Sequence, residues 1–130
     1  MTVLYAESRD VDLFQLAKLL TDARSTEFTG DVSGLADLVR GSSRVAWATR
    51  DNHLIGFASA LSDGALVGFV TFIVVRDDCQ GQGIERALVD RVVGDQPGVT
   101  FMLRGTATTA ASCAALGFTA TDSMCFTRKV

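Results

Sequence analysis

The chain has 130 residues, enough for one domain of ordinary size and too few for two at roughly 100–200 residues each. Apolar residues make up 48% and charged residues 21%, which excludes intrinsic disorder, and a single Pro excludes a Pro-rich linker. A net charge of −3, with no basic run longer than Arg128-Lys129, argues against a nucleic-acid surface or a polybasic membrane surface.

Thr2 to Ala6 alternates loosely and predicts a short first strand. Asp10 is then expected to cap a helix over 11–24, with Val11, Phe14, Leu16, Ala17, Leu19 and Leu20 on its apolar face. The connection Ser25 to Gly30 breaks that helix. Asp31 or Ser33 starts a second one with Leu35, Leu38 and Val39 inward, stopped at Gly41. Arg44 to Arg50 alternates cleanly, with Val45, Trp47 and Thr49 on one side and Ala46 and Ala48 on the other. Asp51-Asn52-His53 reads as a hairpin turn, and Leu54 to Leu61 as the returning strand. After the turn Ser62-Asp63-Gly64, the run Leu66 to Val75 is nearly all apolar and marks a central strand.

Beyond Val75 the pattern changes. Ile84 to Val93 predicts a helix, and Val99 to Leu103 a short apolar strand. Strand, helix, strand is a βαβ unit, so the two strands should run parallel. Thr106 to Leu116 predicts an Ala-rich helix ended by Gly117, and Ser123 to Lys129 alternates like a last antiparallel strand. The expected fold class is α+β: a mixed, mostly antiparallel sheet with one parallel pair near its middle and about four flanking helices.

Cys79, Cys113 and Cys125 are an odd set without a Cys-x-x-Cys pair, which fits neither a disulfide framework nor a zinc site. Arg9, Asp10 and Asp12 interrupt any apolar leader, and the run Leu66 to Val75 is too short to span a bilayer. A soluble, cytoplasmic, single-domain protein over residues 1–130 is the expectation, with no metal.

Chemistry points to one stretch, Val74 to Leu88. A buried strand runs into Gln80-Gly81-Gln82-Gly83, which opens straight into a helix. A helix N-terminus offers unpaired N–H groups and about half a positive charge, and glycines let a bulky anion approach the backbone. Arg86 stands where a dinucleotide fold needs its third Gly, and no Gly-Lys-Ser/Thr is present. On these residues alone, a plain β–α turn that is Gly-rich for backbone reasons remains the alternative.

The chain resembles the GCN5-related N-acetyltransferases. Gln80-Gly81-Gln82-Gly83-Ile84-Glu85 is similar to their acyl-CoA motif at Gln80 and Gly83. Leu116-Gly117-Phe118 and Leu54-Ile55-Gly56-Phe57 match two further signatures, in the family's order. The resemblance implies a central parallel pair that splays apart, with acetyl-CoA as cosubstrate inserted in the gap. The backbone of Ile73, Val74 and Val75 would meet the pantetheine arm and polarise the thioester carbonyl. The N–H groups of Gly81, Gln82, Gly83, Ile84, Glu85 and Arg86 would hold the pyrophosphate. A primary amine of a small molecule or peptide would enter under the first two helices and attack directly, helped mainly by proximity. Dimers are common in the family.

Three positions depart from the pattern. Glu85 replaces a small residue beside the expected phosphates. Cys113 stands where the family usually has a thiolate-protonating Tyr, and Tyr5 is the only Tyr. Phe72 occupies a central-strand position that is acidic in many relatives. Cys113 is the candidate acid, with a passive packing role as its alternative. Asp63, Asp77, Asp78 and His53 are conceivable bases whose plain reading is as solvated turn residues. Glu27 or Asp31 could select a cationic amine, with helix capping as the plain reading. The departures together admit a second function, a catalytically degenerate acyl-CoA-binding or regulatory module of the same fold.

Overall fold

A computed structural model describes residues 2–23 and 31–130. The elements run β1 (Leu4–Ala6), α1 (Leu13–Asp22), α2 (Val32–Gly41), β2 (Arg44–Arg50), β3 (His53–Ser62), β4 (Val67–Val75), a 3-10 turn (Asp77–Cys79), α3 (Ile84–Val93), β5 (Thr100–Met102) and α4 (Ala110–Ala115). The sheet order is β1-β2-β3-β4-β5, antiparallel throughout except for the parallel β4–β5 pair. The fold is therefore the expected α+β architecture, with the βαβ unit formed by β4, α3 and β5, although among the described residues the parallel pair stands at one edge of the sheet rather than near its middle, because no strand forms beyond β5 to cover it.

Strand alternation sorts the side chains onto two faces. Val45, Leu54, Phe57 and Val74 join Leu16, Leu19, Leu20, Leu35 and Val39 in a cluster beneath α1 and α2. Ala46, Ala48, Ala58, Ala60 and Val75 meet Ile84, Leu88 and Val92 of α3 on the other face. Small residues dominate this second face of the sheet, so α3 lies close. A Cβ on Gly56 would come within 2.9 Å of the Leu88 side chain.

The turns follow from local chemistry. Asp51 and Asn52 both take positive φ, 52° and 64°, the requirement of a two-residue hairpin whose twist matches its strands. Asp63 Oδ1 accepts hydrogen bonds from the N–H groups of Ala65, Leu66 and Val67 at 2.8, 2.8 and 3.1 Å. Those three backbone bonds hold its carboxyl below the ordinary value of 3.8. A depressed carboxyl pKa contributes stability that is complete above the ordinary value and is lost as pH falls through the folded-state value. Asp63→Ala should therefore lower Tm at neutral pH and shrink the further fall in Tm between about pH 5 and pH 2. A thermal-melt series over pH checks this; an acid limb as steep as that of the unmodified chain contradicts it.

Two expectations need correction. The cap of α1 is Asp12, which accepts from Phe14 N and Gln15 N at 3.0 and 3.1 Å, while Asp10 binds the Ser8 hydroxyl. Asp12 and Gln15 have capping-box spacing, and the buried Val11 and Leu16 stand at the staple positions around them. This rotation leaves Phe14 78% exposed rather than on the apolar face. The second correction is at the C-terminus, where Ser123 to Lys129 forms no strand and every residue from Thr119 to Val130 is exposed. Alternation alone does not make a strand without an edge to pair with.

The fourth helix is shorter than predicted, and it ends as expected. Gly117, at φ 93°, donates to Ala114 O while Phe118 donates to Cys113 O, the two bonds of a Schellman terminus. Asp31 caps α2 through Ser33 N at 2.9 Å. The Ser25–Gly30 connection and Glu27 lie outside the described residues. Among those residues no helix is long and apolar enough to cross a membrane.

Candidate active site

The parallel ladder is short. Val67, Gly68 and Phe69 pair with Thr100, Phe101 and Met102, and pairing goes no further. Val70 to Val75 therefore continue past the end of β5 with one edge unpaired. Which groups lie on that edge follows from the other side of the strand. Arg76 N donates to Ile55 O of β3 at 2.8 Å, so alternation turns the main-chain groups of Val74 toward β3 and those of Ile73 and Val75 away from it. The Val75 carbonyl accordingly accepts from the Gln80 side chain at 3.3 Å. Phe72 packs half-buried against the cluster under α1 and α2.

The chain then turns through Asp77–Cys79. Cys79 is fully buried, its thiol 3.0 Å from the Arg50 guanidinium, and its N–H donates to Arg76 O at 2.8 Å. Gln80 latches the turn, and Gly81 and Gly83 follow at φ 76° and 81°. No L side chain adopts these angles without strain, and a Cβ on either glycine would meet nothing within 4 Å. The space over the loop is open.

Helix α3 begins at this loop without a side-chain cap, unlike α1 and α2, whose caps are aspartates. Ile84 is buried and anchors the first turn, while Gln82 and Arg86 are exposed and Glu85 is half-buried. Arg86 turns toward the helices, donating to Asp90 Oδ1 at 3.1 Å and to Ala115 O at 3.2 Å. This ties the end of α4 to the first turn of α3. Cys113 is half-buried, and its Sγ lies 2.9 Å from the place a Cβ on Gly105 would take.

Beside the slot, a cleft of about 470 Å³ is lined by Leu19, Asp22 and Ala23 at the end of α1 and by Val75, Arg76, Asp77 and Asp78. The Arg76 guanidinium clasps Asp78 at 2.6 and 3.2 Å. That pairing holds the Asp78 carboxyl below its ordinary value, with a bond from the Cys79 thiol adding to the effect. Asp78 is thus ionised and a weak base. Asp63 is committed to its turn and separated from the glycine loop by the length of β4, about 30 Å. Asp31 is likewise spent on capping, and His53 is exposed at the start of β3.

The structure brings Ile73, Val75 and the loop from Gln80 to Arg86 to one end of the sheet. It places Asp63 at the opposite end of the sheet and leaves His53 exposed at the near end, two residues before the Ile55 that accepts from Arg76 N, and it adds Leu19 and Asp22, which the sequence did not single out as site residues. Their signal is weak, because residues at the end of an amphipathic helix look alike whether they close a core or line a cleft.

A parallel pair that parts after three residues, with a glycine loop and an open helix terminus at its mouth, defines the acyl-CoA N-acyltransferase fold. Residues 12–118 match the Acetyltransferase (GNAT) family model, and the chain belongs to that family. No curated protein matches it by sequence. Solved structures resemble it closely in shape. A protein of unknown function from meticillin-resistant Staphylococcus aureus gives a TM-score of 0.83 at 15% identity, covering 99% of this chain and 100% of that one. The ribosomal-protein-alanine N-acetyltransferase of Brucella melitensis gives 0.73 at 21% identity, covering 100% of both chains. AAC(6')-Iy, bound to the bisubstrate analogue CoA-S-monomethyl-acetylneamine, gives 0.77 at 18% identity, covering 100% of this chain and 99% of that one.

Proposed function

We propose that this chain is a single-domain, cytoplasmic, acetyl-CoA-dependent N-acetyltransferase acting on a primary amine. The observation that carries the reading is the unpaired edge of β4, which runs directly into the open glycine loop and uncapped α3. These residues fit the cosubstrate. The N–H groups from Gly81 to Arg86 suit a diphosphate, because glycine admits the anion and the helix dipole favours it. The main-chain groups of Ile73 and Val75 suit an amide-bearing arm laid along the strand as an extra β-ladder, while Val74 supports them from the core. Bound acetyl-CoA supplies the activated acyl group.

In this reading the amine arrives through the cleft between α1 and the end of β4. Asp77 favours a cationic visitor there, while the Asp22 carboxylate is already paired with Lys18 at 2.9 Å, and neither is positioned as a dedicated base. The chain supplies proximity and a polarising edge, and the amine sheds its proton to water. Cys113 is the one candidate acid for the departing thiolate. The three free cysteines fit a reducing compartment.

Titration calorimetry with acetyl-CoA, followed by thiol release across a panel of primary amines, tests the proposal. Binding in the micromolar range with amine-dependent CoA release is expected. No binding at millimolar cosubstrate ends the reading, whereas binding without turnover on any amine supports the acyl-CoA-binding module instead. Cys113→Ala assigns the thiol: lost turnover with binding intact makes it the acid, and unchanged turnover returns it to packing.

Glu85 gives a separate expectation. Its carboxylate has no hydrogen bond or ion pair among the described residues and sits in the first turn of α3, among the open amides. Glu85→Gly should tighten acetyl-CoA binding about fivefold, the effect of one partly screened like-charge contact. Unchanged affinity would place the carboxylate away from the phosphates.

A further inference from the structure

The end of α1 and the end of β4 form the two walls of the cleft beside the slot, and both stand on the same two residues of β3. Thr49 opposes Leu54 while Ala48 opposes Gly56, so Ile55 is an extra residue of β3 on the side facing β2. On the other side, the Ile55 carbonyl accepts from Arg76 N at 2.8 Å, which fixes the β4 wall where it enters the cleft. The neighbouring Leu54 N donates to Gln15 Oε1 of α1, also at 2.8 Å. Gln15, Leu19 and Asp22 recur at i, i+4 and i+7 and share one side of the helix, and the last two line the cleft. Gln15 Nε2 adds long bonds to Asp12 Oδ2 at 3.4 Å and to Asn52 O at 3.5 Å, so one side chain joins the helix cap to the β2–β3 hairpin.

We infer that Gln15 is a positioning residue: through Leu54 N it sets where α1 stands over the sheet, and thereby the width of the cleft by which the amine enters. The inference rests on the acyl-CoA reading and deepens it, by naming a residue that governs the amine and not the cosubstrate. Gln15 apart, the side chains that seat α1 are apolar, with Leu16, Leu19 and Leu20 meeting Leu54, Phe57 and Val74. Such contacts are non-directional and let a helix shift along its axis. A hydrogen bond to a strand N–H is directional and fixes that shift. Leu54 is buried, so its N–H would be costly to leave without an acceptor. Gln15 does not line the cleft itself; it acts through the placement of Leu19, Asp22 and Ala23.

The test reads the helix position and the two substrates separately. In a crystal structure of Gln15→Ala, the C-terminal end of α1 should stand displaced from the end of β4 by about 1.5 Å, the rise of one residue. An unmoved α1 overturns the inference. The kinetic probe is n-hexylamine, a plain primary amine whose alkyl chain suits Leu19, Ala23 and Val75. Its kcat/KM should fall about tenfold in Gln15→Ala, as expected for a reactant held out of line. Affinity for acetyl-CoA should stay within about twofold, since the glycine loop and the β4 edge keep their own supports. Gln15→Glu keeps the acceptor oxygen and suits the third position of a helix, so it should retain both the α1 position and the hexylamine rate. Equal weakening of both substrates, or no change in either, overturns the inference while leaving the acyl-CoA reading standing. If the unmodified chain binds acetyl-CoA but does not acetylate hexylamine, the structure of Gln15→Ala decides alone. An unmodified chain that binds no acetyl-CoA overturns both. Amide exchange on the unmodified protein gives a readout independent of how the variants fold: the Leu54 amide should be protected together with the amides of α1, and fast exchange at Leu54 overturns the inference.

Discussion

Gly83→Val is expected to abolish measurable acetyl-CoA binding while the protein stays folded. Gly83 sits at φ 81° immediately before α3, in a conformation that costs an L residue about 1–2 kcal/mol. No atom lies within 4 Å of the added Cβ, so the penalty is conformational and not a clash within the fold. A domain with several kcal/mol in hand survives it. The branched side chain, however, projects into the open space over the loop, where a diphosphate would have to approach the amides. Calorimetry with acetyl-CoA and a urea melt on the same sample separate the two effects. Retained affinity would show that the phosphates do not use this loop.

The second large effect concerns the sheet that carries the slot. Phe57 is fully buried, opposes Trp47 on one side and Val74 on the other, and packs against α1. Phe57→Ala removes the largest buried side chain of that cluster, and such truncations cost about 3–5 kcal/mol because the cavity collapses only in part. Set against a total of about 5–15 kcal/mol, that is a large share of the stability. Urea denaturation should show the midpoint falling steeply. The comparison variant Phe14→Ala, at a residue 78% exposed, should stay within about 0.5 kcal/mol. A mild Phe57→Ala would mean that the core beneath α1 is looser than its packing indicates.

Much of this was legible in the chain. The meander from Arg44 to Val75 announces itself through clean alternation, two turn signals and a β-branched run, and the strand–loop–helix after it through its glycines. What escaped has physical causes. Asp10 and Asp12 both stand where a cap could fall, and only Asp12 has an amide side chain three residues on, at Gln15. A β-bulge at Thr71, left between the pairs Ser59–Phe72 and Ala60–Val70, is silent, because Phe69-Val70-Thr71-Phe72 contains no Gly or Pro and reads as an uninterrupted strand. The strand expected over Ser123 to Lys129 failed for a different reason, since a periodic pattern states what a segment could do and not whether a neighbour is there. At the site, the loop residues and the strand edge could be named from the sequence, but the division of labour among Ile73, Val74 and Val75 could not. That depends on which way each amide points, and side-chain type does not encode it.

The three-pair ladder between β4 and β5 also divides the molecule into parts that open with different ease. β2, β3 and the β3-facing side of β4 are locked by long antiparallel registers and clamped by α3, so the amides bonded in those registers are the last to exchange. The region beyond Met102 has no buried residue, and the Arg86–Ala115 contact is among the bonds that tie it to the rest. It can detach at a small fraction of the global free energy. A molecule wedged between the two strands would stitch this looser segment onto the rigid remainder, so its binding energy would appear first as reduced breathing of the C-terminal region and only afterwards as a higher melting point.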